Sequence, residues 1–317
     1  MKKRLIGAFL AAVMTATAIA GCGGSTAAPA AEKEEETEAV SQAEEESAEE
    51  AEEAEEAAAE NTQSAEEPVE IQVFIAASLN TVMQEIAAKY NEAHPNVSIV
   101  FNADSSGKLL TQIEEGYTCD VFFSAAQKQM NALEEDGLIV EGTRANVLNN
   151  QVVVIKRKDT ESEVTGLADI GKASSLALAD GSVPVGRYTR QALMNLGILA
   201  ETDDASVYTT QEVSDALGGV EISEQGNVSQ VLTAVVEGSC EVGTTYLSDT
   251  YGYEDDLDII ETVSYDLTGN VIYPVCQVVN DEADEAETAA AADFVSFITS
   301  DEAKAIFDAY LFDTNVE

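Results

Sequence analysis

The chain has no tryptophan, one histidine, four cysteines and five prolines in 317 residues. Its 15 basic residues face 60 acidic ones, giving a formal charge of −45. Each shortage closes a class of chemistry. Serine hydrolysis needs a base beside the nucleophile, and the lone His94 sits in a His-Pro turn where it reads as a helix C-terminal residue. One His and four scattered Cys are too few for a zinc site. The acidic residues contain no Asp-x-Asp-x-Asp-Gly calcium loop, and Glu254-Asp255-Asp256 reads as a solvated turn. So few cations exclude nucleic-acid partners, and charge alone cannot hold the chain on an anionic lipid surface. No residues here look like an enzyme's.

What is present falls into three stretches. Lys2, Lys3 and Arg4 precede an uncharged run from Leu5 to Ala20 that closes on Ile19-Ala20-Gly21-Cys22. Such a run is short for a membrane span and reads as a secretory signal over residues 1–21. Its end resembles the lipobox of bacterial lipoproteins, which usually has Leu at the place of Ile19. That resemblance implies cleavage before Cys22 and a lipid anchor on its sulfur, on the outer face of the cell membrane or its periplasmic side. Residues 22–68 follow, with 17 Glu, one Lys and no aromatic residue. They cannot bury enough apolar surface to offset chain ordering, so a disordered, self-repelling tether is expected. Beyond it, Cys119, Cys240 and Cys276 lie in apolar or strand-edge segments and read as small buried hydrophobes. Whether two of them are bridged is open at this point.

From residue 69 the hydrophobic pattern alternates between two periods. Val69–Ala76 reads as a strand. Leu79, Val82, Met83, Ile86, Ala87 and Tyr90 then form one helical face. The unit repeats: strand Val97–Phe101 with helix Lys108–Glu115, and strand Val121–Ser124 with helix Gln127–Glu135. Asn150–Lys156 opens a second set, with strand Leu176–Ala179, helix Val185–Leu196, strand Ser206–Thr209, helix Val228–Val236 and strand Val242–Tyr246. Strand Val271–Val279 and helices Glu285–Thr299 and Asp301–Phe307 close the chain. This interval indicates α/β lobes with mostly parallel sheets flanked by helices. The two Val-rich strands suggest two crossings. The expected lobes are 69–149 with 250–317, and 150–249 between them.

A small or polar residue recurs at helix starts just after a strand: Ser78, Ser105-Ser106-Gly107, Pro184-Val185-Gly186 and Gly226-Asn227-Val228. Helix starts present free N–H groups and a partial positive charge of roughly half a unit, which suits an anion. Taken singly, each is an ordinary helix cap. Neither Ser78 nor Ser106 has the Glu or Gln of a capping box three residues on, so unpaired N–H groups remain. Four such starts, two per lobe, could converge on one anion.

At these positions Ala76-Ala77-Ser78-Leu79, Ser105-Ser106-Gly107-Lys108-Leu109, Cys119-Asp120-Val121-Phe122-Phe123-Ser124-Ala125, Val183-Pro184-Val185-Gly186-Arg187-Tyr188 and Val242-Gly243-Thr244-Thr245-Tyr246 resemble the molybdate-binding proteins of ABC importers. The resemblance covers nearly all of residues 70–312. It implies a two-lobe periplasmic-binding-protein fold of type II, with a tetrahedral oxyanion, molybdate or tungstate, in the interlobe cleft and no cofactor. It also implies a monomer that delivers its ligand to a membrane ABC permease. The hydroxyls of Ser78 and Ser106, the main-chain N–H groups of Val185 and Val228 and the hydroxyl of Tyr246 match the family's ligand contacts. Gly107 departs from relatives with a third Ser there, and Val185 from the commoner Ala. Other readings are a sulfate or phosphate binder of the same fold, a ferric-ion binder using Tyr246, Tyr251 and Tyr253, and a surface lipoprotein without a transport role.

Overall fold

The computed structural model describes residues 67–316. The expected signal segment, Cys22 and the tether up to residue 66 lie outside these. Two five-stranded sheets carry the fold. The first is built from β1 (Val69–Ala76), β2 (Val97–Asp104), β3 (Val121–Phe123), β4 (Ala145–Asn150) and β10 (Val271–Gln277), in the order β2-β1-β3-β10-β4. The second contains β5 (Val152–Arg157), β6 (Ser175–Ala179), β7 (Glu221–Gln225), β8 (Val242–Tyr246) and β9 (Leu257–Thr262), in the order β7-β6-β8-β5-β9. The two orders have the same pattern. In each sheet three neighbouring strands are parallel, and β10 or β5 runs against both of its neighbours.

Nine helices accompany the strands within the described residues, seven between strands and two after the last: α1 (Asn80–Asn91), α2 (Ser106–Glu114), α3 (Gln127–Glu135), α4 (Pro184–Asn195), α5 (Thr210–Ala216), α6 (Val228–Val236), α7 (Tyr265–Thr268), α8 (Glu285–Ile298) and α9 (Asp301–Ala309). The apolar face read for α1 is all buried, from Leu79 to Tyr90. Val228, Val231, Leu232 and Val235 of α6 are buried likewise. Since the connecting helices follow parallel strands, their N-termini gather at the carboxyl edges of the two sheets, where open α/β sheets place their ligands.

Three local expectations differ from the structure. Asn150–Lys156 is not one strand, because the chain changes sheet at Gln151, between β4 and β5. Ser206–Thr209 is not a strand. A 3-10 turn at Ala205–Val207 leads to Thr209, whose hydroxyl accepts from Glu212 N while the Glu212 carboxylate accepts from Thr209 N. That reciprocal cap starts α5. Finally, Leu257–Thr262 pairs with β5 in the second sheet, so the return crossing falls between Thr262 and Val271. The boundary read at residue 250 leaves that strand with the first lobe.

His94 lies outside the cleft. Its ring stacks on Tyr90 with centroids 4.2 Å apart, and its Nε2 is 3.3 Å from Asp293 Oδ2. Cys119, Cys240 and Cys276 are buried free thiols. No helix of the described residues is long and apolar enough to cross a membrane.

Candidate functional site

Ser78, Ser106, Val185, Val228 and Tyr246 all line one small cavity, together with Ser105, Ala125 and the turns that carry them. Every one follows the carboxyl end of a strand or ends it. Ser78 sits in the 3-10 turn Ala77–Leu79 after β1, and Ser106 is the first residue of α2 after β2. From the second sheet, Val185 lies in the first turn of α4 after β6, Val228 begins α6 after β7, and Tyr246 ends β8. First-turn N–H groups have no acceptor within their own helix, so those of α4 and α6 are left to donate elsewhere, and both helices begin at the cavity.

The serines do not cap their helices. The cap of α2 is Ser105, whose hydroxyl accepts from Lys108 N at 3.4 Å. Ser106 Oγ instead accepts from Ala125 N at 2.9 Å, which leaves its own proton to give. Ser78 Oγ lies 2.9 Å from the Tyr273 hydroxyl. Tyr246 is 1% exposed, and its hydroxyl has no hydrogen-bond partner among the described residues. Leaving a buried hydroxyl unpaired costs about 1–3 kcal/mol. Burial, with the nearby Tyr273 ring, holds the Tyr246 phenol far above its usual range, so it remains a neutral donor.

The cleft is closed by contacts between the two sets of helix starts. Asn227 Nδ2 donates to Asp104 Oδ1 at 3.1 Å, and Lys128 Nζ donates to Asp204 Oδ2 at 2.7 Å and to Ser206 Oγ at 3.0 Å. At Gly107 the two backbones come near one another: a Cβ there would lie 2.9 Å from Ser182 O. A serine at 107 would meet the facing backbone, which accounts for the glycine. Gly186 is constrained more tightly, since a Cβ would fall 2.2 Å from Asp180 O. Its absence lets α4 start hard against the end of β6.

Beside this cavity lies a second one, lined by Ser78, Asp249, Tyr251, Tyr253 and Tyr310 among others. Burial raises the Asp249 carboxyl to about 6 despite bonds from the Thr245 hydroxyl and Tyr246 N. Tyr251 and Tyr253 therefore border the neighbouring cavity, and Tyr246 alone of the three lines the one shared with Ser106, Val185 and Val228. Sequence reading missed Tyr273, Asn150 and the Asn227–Asp104 bridge. Their roles come from contacts more than 100 residues apart in the chain.

Residues 71–313 match the family of bacterial extracellular solute-binding proteins. A Bacillus subtilis (strain 168) chain, YvgL, assigned as an ABC transporter substrate-binding lipoprotein, is 29% identical over 245 residues, 77% of this chain and 86% of that one. The molybdate-binding protein ModA of Escherichia coli (strain K12) is 30% identical over 253 residues, 77% and 88% of the two chains. Among solved structures, a substrate binding domain from Clostridium difficile assigned to a molybdenum ABC transporter is 31% identical, with a TM-score of 0.57 over 78% of this chain and all of that one. The shared architecture is the two-lobe periplasmic-binding-protein fold. With three quarters of its length inside that match, the chain belongs to the bacterial extracellular solute-binding protein family.

Proposed function

We propose that the chain captures a tetrahedral oxyanion, molybdate or tungstate, outside the cytoplasm and delivers it to an ABC importer, binding its ligand without transforming it. The observation that carries this reading is the buried, unpartnered Tyr246 hydroxyl in a cavity shared with Ser78, Ser106 and two helix starts. An orphan donor of that kind is explained by an acceptor that arrives with the ligand. The similarity to the Escherichia coli and Clostridium difficile proteins supports molybdate as that ligand.

In this reading the hydroxyls of Ser78, Ser106 and Tyr246 and the N–H groups of Val185 and Val228 bind the oxyanion. All five are neutral donors. Each charge-assisted bond contributes about 1.5–3 kcal/mol, so together they can offset desolvation of a dianion and the cost of association. A fully deprotonated anion needs no acceptor from the site, whereas hydrogen phosphate would leave its O–H unpaired. The sheets act as two lobes, 69–150 with 271–316 and 152–262, because each supplies only part of the donor set and closure completes it. Cys22 anchors the chain by lipid, a reading supported by the lipoprotein relative in Bacillus subtilis. The closed monomer then docks on its permease.

A thermal-shift panel tests the ligand. Molybdate and tungstate should raise the unfolding temperature by mass action, and sulfate or phosphate much less. If no oxyanion shifts the transition, the reading is wrong.

A further inference from the structure

Ser78 is the one serine of the site whose donor direction no backbone group fixes. For Ser106 the matter is settled by Ala125 N, which can only donate, so Ser106 Oγ accepts there and its proton is free. Ser78 Oγ instead faces the Tyr273 hydroxyl at 2.9 Å, and either oxygen could supply the proton. The next contact decides. Tyr273 Oη has a second neighbour, Asn150 Nδ2, at 3.2 Å.

The orientation of that amide is itself determined. Asn150 Oδ1 lies 2.9 Å from Gln151 N, a backbone donor, so the oxygen must be on that side. Nδ2, which has only protons to give, then faces Tyr273 Oη and, at 2.8 Å, Ser248 Oγ. If Ser78 donated to Tyr273, the phenol proton would point at an amide nitrogen without a free lone pair. Only one direction satisfies every group: Gln151 N–H to Asn150 Oδ1, Asn150 Nδ2–H to Tyr273 Oη, Tyr273 O–H to Ser78 Oγ. Tyr273 is fully buried and Asn150 is 2% exposed, so water does not compete.

We propose that Tyr273, held by Asn150, is a positioning residue that directs the Ser78 proton to the bound anion, so that Ser78 does not turn to accept from a protonated one. This rests on the oxyanion reading above and assigns the contribution of Ser78 to its selectivity. The chain of bonds begins at the crossing between the two sheets, at Asn150, and ends in the cavity. Removing the phenol proton would free the Ser78 hydroxyl to turn and accept from hydrogen phosphate.

A double-mutant cycle on the purified chain, read by calorimetric titration with molybdate and with inorganic phosphate, tests this. Tyr273→Phe should weaken molybdate binding about 3- to 10-fold and narrow the preference for molybdate over phosphate. In a Ser78→Ala background the same substitution should change neither, because a group acting through Ser78 has nothing left to orient. Should Tyr273→Phe fail to fold, Asn150→Asp serves: its carboxylate would take the phenol proton, reverse the chain and cost more affinity with Ser78 present than absent. An equal loss in both backgrounds, or an unchanged preference in the presence of Ser78, overturns the assignment and makes Tyr273 merely structural. A wild-type chain that binds no oxyanion instead overturns the function itself.

Discussion

Asn227 uses both ends of its amide: Oδ1 accepts from Gln230 N at 3.0 Å and caps α6, while Nδ2 donates to Asp104 Oδ1 at 3.1 Å across the cleft. The helix start that carries Val228 is therefore tied directly to the end of β2, just before Ser105 and Ser106. Asn227→Asp keeps the cap oxygen and sets a carboxylate against Asp104. We expect the ligand-free unfolding temperature to stay near wild type and molybdate affinity to fall roughly tenfold, since like charges across the closing contact cost on the order of 1 kcal/mol. Titration calorimetry beside a thermal melt measures both. Equal affinity would mean that this bridge does not contribute to closure.

Tyr246→Phe should move stability and binding in opposite directions. It removes a buried hydroxyl without a partner, so the ligand-free chain should be unchanged or more stable by about 1 kcal/mol. It also removes a donor to the anion, so affinity should drop by about an order of magnitude. A loss of stability in the absence of ligand would show that the hydroxyl already has a structural partner.

Asp249 should make stability depend on pH. Its carboxyl is raised to about 6 in the fold, chiefly by burial. In an unfolded chain it lies near 4. The fold therefore favours the protonated form: this contribution is complete below about pH 4 and is lost as pH rises through 6. Asp249→Asn keeps an oxygen for Thr245 and Tyr246 and cannot ionise. Relative to wild type it should gain on the order of 1–2 kcal/mol between about pH 4.5 and pH 7.5, after allowance for the partial exposure of the side chain. Denaturant melts at the two pH values measure the difference. A gap that does not change with pH would exclude the carboxyl as its source.

Arg190 is fully buried, and its guanidinium donates to Ala179 O at 2.7 Å, Gly186 O at 3.0 Å and Tyr208 O at 3.0 Å. These carbonyls come from the end of β6, the start of α4 and the turn before α5. Arg190→Met fills similar space and leaves all three without this donor. A loss of about 3 kcal/mol is expected in chemical denaturation, with weaker anion binding because the Val185 turn is no longer held. A loss below about 1 kcal/mol would show that the carbonyls find other donors.

The parts of the fold legible in the sequence are those with one strong period. Helix Gln127–Glu135 and strand Val242–Tyr246 are read to the residue, and the buried face of α1 is correct throughout. What is missed lacks a pattern for a physical reason. Strand β7, Glu221–Gln225, is a polar sheet edge with no fully buried residue, so it has no apolar side to alternate. Strand β4 ends in Asn149-Asn150, residues depleted in strands, because those side chains serve the crossing. The candidate site follows the same division. Ser78, Ser106, Val185, Val228 and Tyr246 each sit at a strand end with a local signature. Tyr273 lies inside an apolar run where nothing local distinguishes its hydroxyl from packing, and its neighbour Ser78 is 195 residues away.

The three buried thiols have a use for the experimenter. Burial raises Cys119 and Cys240 and pushes Cys276 up to about 12, so none forms an appreciable thiolate at neutral pH. With Cys22 replaced by serine, a cysteine introduced at the exposed cleft-rim position Lys128 would be the reactive one, ready to take a fluorophore whose emission follows the two halves as they part and meet.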